Sequence, residues 1–127
     1  MDATLSADKI RIDTDSLSRA LALGELLREH NGGDVMVLDL RQLNGWTDFF
    51  VIATVTSAAH LHGLQRHIKE FAAGEGIEIL HHRRKAVPDD LWNLIDLGSI
   101  VIHLMTAPAR AFYELERLWS AGTLIYP

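Results

Sequence analysis

Apolar residues recur along this chain with two different periods. Leu17, Ala20, Leu21, Gly24 and Leu27 fall on one face of a helix. Asp13-Thr14-Asp15-Ser16 supplies N-caps ahead of it. His30-Asn31-Gly32-Gly33 ends it, because Asn and Gly accept the left-handed backbone that helix ends favour. Residues 1–13 have no clear period and read as a lead-in segment. Val35-Met36-Val37-Leu38 is a continuous apolar run, which predicts a buried strand. Asn44-Gly45 is a turn pair, and Asp48 to Thr54, rich in aromatic and β-branched residues, predicts a second, central strand. Ser57 caps the next predicted helix, where Leu61, Leu64, Ile68 and Phe71 share a face, and Gly74 and Gly76 stop it. Ile77 to Leu80 reads as a short third strand.

His81-His82-Arg83-Arg84-Lys85 and Pro88-Asp89-Asp90 then form a polar connection. Leu91–Leu97 and Ser99–Met105 flank Gly98 and predict an antiparallel hairpin. Alternation puts Trp92, Leu94 and Asp96 on one side of the first hairpin strand, and Asn93, Ile95 and Leu97 on the other. In its partner, Ile100, Ile102 and Leu104 oppose Val101, His103 and Met105. Thr106-Ala107-Pro108 opens the last helix, with Ala111, Phe112, Leu115, Leu118 and Trp119 as its buried stripe and Gly122 as its stop. The order α-β-β-α-β-β-β-α gives an α/β fold, a mixed sheet of about five strands flanked by helices. The domain limits read as a lead-in at 1–13, a single α/β domain over 14–122 and a tail at 123–127, either an added strand or a dimer arm.

At 127 residues the chain has the size of one domain and can bury roughly two thirds of its unfolded surface without a staple. It has no cysteine, which excludes disulfides, thiolate metal sites and cysteine nucleophiles. Twelve Lys+Arg against 17 Asp+Glu leave a net charge of −5, a poor match to phosphate backbones and a better one to a basic protein. No stretch approaches a membrane span, and Met1-Asp2-Ala3-Thr4-Leu5 lacks the pattern of a secretory signal, so a cytoplasmic protein is expected.

Three ordered segments resemble one family. They are Thr47-Asp48-Phe49-Phe50-Val51-Ile52, Trp92-Asn93-Leu94-Ile95-Asp96-Leu97-Gly98, and Arg110-Ala111-Phe112-Tyr113-Glu114-Leu115-Glu116-Arg117-Leu118-Trp119. Together they are similar to the ribosomal silencing factor, or Iojap-like, family. Val55, Ala59 and Val87-Pro88-Asp89-Asp90 depart from its usual pattern. The resemblance implies a nucleotidyltransferase-like superfold without transferase activity. It implies binding to the large ribosomal subunit through the protein uL14 at the subunit interface, a steric block of subunit joining, and repression of translation. It also implies a homodimer when free, with no small-molecule substrate.

The residues themselves bear on that reading. Nucleotide transfer needs carboxylates that hold divalent metal, in a Gly-Ser turn followed by an Asp-x-Asp pair. Gly98-Ser99 is present, but Ile100 to Arg110 contains no acid. Of the seven histidines, His81-His82 would point to opposite faces of a strand, and His60 and His67 are too far apart to chelate. No metal, cofactor or catalytic residue is therefore expected, and the chain is read as a binding protein and not an enzyme. The expected contact is Trp92, Leu94, Asp96 and Tyr113, supported by Arg110 and His103. Each has a plainer role: Trp92 capping the core edge, Asp96 holding the turn, Arg110 and Tyr113 on a solvated helix face, His103 as an interior polar group. Arg83-Arg84-Lys85 reads first as a solvated loop and, on a ribosome, as a minor contact to RNA. A transferase with an unusual acid set and a generic homodimeric adaptor are the competing readings.

Overall fold

The computed structural model describes residues 2–43, 47–80, 91–118 and 122–127, with side chains from Asp15 onward except those of Glu116 and Leu118. Helix α1 (Asp2–Glu29) leads into β1 (Gly33–Asp39), a 3-10 turn (Arg41–Leu43) and β2 (Phe49–Val55). Helix α2 (Ala58–Glu75) is followed by β3 (Trp92–Asp96) and β4 (Ile100–Thr106). Two short helices, α3 (Ala107–Tyr113) and α4 (Leu115–Leu118), precede β5 (Thr123–Tyr126). The segment expected as a lead-in is thus helical from Asp2, and the expected tail forms a strand.

The five strands form one sheet in the order β3-β4-β2-β1-β5. β2 and β4 pair in parallel, with Phe50 opposite Val101 and Ile52 opposite His103, and every other pair is antiparallel. A parallel pair needs a long crossover, and α2 lies within it. The predicted strand at Ile77–Leu80 is reduced to one bridge, in which Leu80 N–H donates to the Asp96 carbonyl at 2.8 Å. The sheet still has five strands because β5 joins it beside β1.

Alternation divides the core into two layers. Val35, Val37, Phe49, Val51, Ile95, Ile100, Ile102 and Leu104 face α1 and α2, meeting Leu23, Leu27, Leu64 and Ile68. Leu38, Phe50, Ile52, Val101 and Met105 face the other way, buried under Ala109, Leu115 and the half-buried Trp92, Leu94 and Tyr113. One face of the sheet therefore lies under two long helices and the other under two short ones. Gly24 lets α1 sit close to the sheet, since a Cβ there would stand 2.9 Å from Val37 Cγ2. Caps fix the ends of the shorter elements. His60 N–H donates to Ser57 Oγ at 3.0 Å, Gly76 closes α2 at φ 69°, and Ala109 N–H donates to Thr106 Oγ1 at 3.2 Å.

The last helix does not bury the expected stripe. Glu114 adopts φ 47° and ends α3, so the helical phase is reset before Leu115. Leu115 and Ala109 are buried, whereas Ala111 is exposed and Phe112 is 78% exposed. The Asn44-Gly45 turn, the His81 to Asp90 connection with its Arg83-Arg84-Lys85 run, and Trp119 lie outside the described residues, as does the side chain of Leu118.

Candidate functional site

The three sequence segments meet in space. Thr47, just before β2, donates its hydroxyl to the Gly98 carbonyl at 3.0 Å, and the N–H groups of Asp48 and Phe49 both donate to the Ser99 carbonyl. The hairpin turn is held from within by Asp96, whose Oδ1 accepts the Gly98 N–H at 2.7 Å while Gly98 takes φ 90°. Asp96 thus fills the plainer role expected of it. Arg110 on α3 donates to Thr54 Oγ1 at 2.9 Å and to the Gly33 carbonyl at 3.4 Å, tying the last helix to the ends of β2 and β1.

On the sheet face beneath the two short helices, aromatic rings form a continuous chain. Phe50 and His103 are in edge contact at 4.5 Å, and His103 lies 5.9 Å from Trp92. Trp92 lies 5.1 Å from Tyr113, which meets Phe112 edge-on at 4.9 Å. The chain runs from the interior, where Phe50 and His103 are each 1% exposed, to the 78% exposed Phe112. Trp92 and Tyr113 are half-buried between them, with Leu94 beside them on the same core layer. The Trp92 indole N–H donates to His103 Nδ1 at 3.0 Å. Nδ1 must then be the acceptor, which places the proton of the neutral ring on Nε2.

The six predicted residues therefore do not form one patch. Trp92, Leu94, His103 and Tyr113 cluster, and Asp96 stands at the far end of β3, four steps or about 13 Å along the strand. Arg110 instead lines an open groove of about 760 Å³ on the other side of α3, with Met36, Thr54, Glu114, Arg117 and Leu124. Phe112 joins the aromatic cluster although its sequence spacing suggested the core. Its adjacency to Tyr113 at a helix end is the signal that periodicity alone overrides. Among the described residues no group of three or more His, Asp or Glu could hold a metal ion, and no helix is long and apolar enough to cross a membrane.

Comparison with known proteins decides the family. A family model described as ribosomal silencing factor during starvation matches residues 13–126. The chain belongs to the ribosomal silencing factor family. A silencing factor from Treponema pallidum is 43% identical over 100 residues, covering 79% of this chain and 88% of the relative. One from Haemophilus influenzae is 31% identical over 104 residues, covering 79% of this chain and 100% of the relative. The chloroplastic protein Iojap of Zea mays is 31% identical over 98% of this chain, which spans only 52% of that longer relative. The fold is shared with a crystallised protein of Bacillus halodurans, with TM-score 0.66, 27% identity, and coverage of 90% of this chain and 99% of that one. Membership gives the silencing factor a ribosome-associated role in damping translation.

Proposed function

We propose that this silencing factor docks on the large ribosomal subunit through its protein uL14, with Trp92, Leu94 and Tyr113 at the contact. Seated there, it bars the small subunit sterically and represses translation without making or breaking bonds. The observation that carries this reading is the aromatic cluster on the sheet face beneath the two short helices, where Trp92 and Tyr113 are half-buried and touch at 5.1 Å. Half-buried Trp and Tyr with pre-set geometry are the residues that dominate protein interfaces. Phe112 extends the patch outward. A net charge of −5 favours approach to a basic protein surface. Asp96 and Arg110 flank the patch as supporting positions. The free protein is a cytoplasmic homodimer in this reading.

Co-sedimentation with purified large subunits tests it. Trp92→Ala and Tyr113→Ala are each expected to weaken binding at least about 10-fold. Asp96→Asn keeps the acceptor that holds the turn, so it isolates the effect of the charge. Full binding by folded Trp92→Ala and Tyr113→Ala proteins would overturn the site. Unhindered subunit joining by a bound protein, followed by light scattering, would overturn the steric block. Loss of the dimer in Trp92→Ala with ribosome binding retained would assign the patch to self-association.

A further inference from the structure

His103 sits near the middle of β4 and is 1% exposed. Its neighbours on that sheet face are Val101 and Met105, and across β2 the ring meets Phe50. An imidazole there carries a desolvation cost that an aliphatic side chain avoids, so its nitrogens need a task. One task is visible, since Nδ1 receives the Trp92 indole N–H at 3.0 Å. The register explains the reach. Leu94 is directly opposite His103 and Trp92 is opposite Met105, so the indole crosses the diagonal between non-opposed residues on one face.

We propose that His103 is a positioning residue for Trp92. Its buried Nδ1 lone pair holds the indole in one orientation over the sheet face, the orientation from which it meets a protein partner. The functional half of this inference rests on Trp92 being at the ribosomal contact. The argument has two parts. Trp92 begins β3, a strand at the sheet edge, and is half-buried, so part of its side chain meets solvent. Swinging out would break a hydrogen bond at a ring that is 1% exposed, which costs more than losing a solvent-exposed hydrogen bond would. The core therefore fixes a surface residue. A side chain already ordered before docking loses less freedom on docking, and that gain appears chiefly as slower dissociation.

The test joins two measurements. In protein labelled with ¹⁵N at the tryptophan indoles, the Trp92 signal is assigned by its disappearance in Trp92→Phe. In the free parent, its N–H is expected to exchange with water at least about 10-fold more slowly than a solvent-exposed indole. His103→Leu should abolish that protection and speed dissociation from immobilised large subunits by about 10-fold. His103→Asn offers a carboxamide oxygen where Nδ1 stood and should restore much of the protection. Trp92→Phe should dissociate about as fast as His103→Leu, and the double variant no faster than either, because both remove the same bond.

An unprotected indole N–H in the parent, or unchanged dissociation in folded His103→Leu while Trp92→Ala weakens binding, would overturn the proposal. If His103→Leu fails to fold, Trp92→Phe and His103→Asn decide it alone: equal dissociation of Trp92→Phe and parent overturns it. The exchange measurement needs no ribosome. Protection lost in His103→Leu, together with Trp92→Ala that binds fully, would therefore reject the docking site while leaving the positioning intact.

Discussion

Thr47 Oγ1 donates to the carbonyl of Gly98 at 3.0 Å, across 51 residues of sequence. Thr47 is buried, so the bond is shielded from water. It braces the hairpin that presents Trp92 and Asp96. Thr47→Val keeps the shape and removes the donor. The variant is expected to lose about 1–2 kcal/mol in urea unfolding, with faster amide exchange concentrated at Leu97 to Ile100. Uniform exchange across the sheet would show that the brace acts on the whole fold.

Gly24 should resist even alanine. Helix propensity favours Ala over Gly by about 1 kcal/mol in a helix interior. Against it, the new Cβ would lie 2.9 Å from a methyl of Val37, which is fully buried and stiff about its first side-chain torsion. Overpacking of that kind costs about 1–3 kcal/mol. The net expectation for Gly24→Ala is a loss of about 1 kcal/mol, read from the denaturation midpoint. A gain would mean that α1 can shift away from β1 without cost.

The residues on either side of the Glu114 break should respond differently. Phe112 is 78% exposed and Leu115 is 4% exposed. Phe112→Ser is expected to change stability by less than about 0.5 kcal/mol, and Leu115→Ala to cost about 2–4 kcal/mol. Phe112→Ser should still weaken ribosome binding if the aromatic chain ends at the partner. Equal destabilisation by the two variants would place Phe112 in the core after all.

Acid should loosen one surface clasp. Hydrogen bonds from the Arg41 guanidinium, the closest at 2.8 Å, hold the Asp39 carboxyl below its ordinary range. A group whose folded pKa is depressed contributes stability above its unfolded pKa, and that contribution fades as pH falls through the folded value. The pair is partly solvent-exposed, so its worth is below about 1 kcal/mol and is screened by salt. Asp39→Asn should therefore be slightly less stable than the parent at pH 7. The two should converge only as pH falls below the depressed folded value, where both side chains are neutral. A difference that persists in acid would point to a role other than charge.

The period-2 pattern made the sheet legible. Alternation in the hairpin sorts Trp92 and Leu94 from Ile95 and Leu97, and these are the two layers of the folded core. The caps at Ser57 and Thr106 were equally readable, because their function is local. What failed depends on contacts distant in sequence or on an unmarked backbone break. The tail read as either an added strand or a dimer arm; it is a strand because Leu124 and Tyr126 find β1, a partner that nothing in five residues names. Ile77 to Leu80 looks like a strand, yet only Leu80 finds a pairing. Glu114 turns left-handed without being Gly or Asn, so the stripe through Phe112 seemed continuous. Sequence likewise grouped Arg110 with Trp92, whereas the helix sends the first toward β1 and β2 and Tyr113, three residues on, toward β3.

The parallel pairing of β2 with β4 has a consequence for how the molecule assembles. Neighbouring strands in the middle of the sheet are separated in sequence by α2 and β3, so closing that pair involves a long loop and slows folding relative to a helical bundle of this size. A nascent chain that has released only its first 99 residues would hold β1 and β2 with one side of β2 still lacking its neighbour. An open strand edge rich in Phe, Val and Ile invites pairing with another copy. Rapid arrival of β4 is thus as much a safeguard against clumping as a step toward the native state.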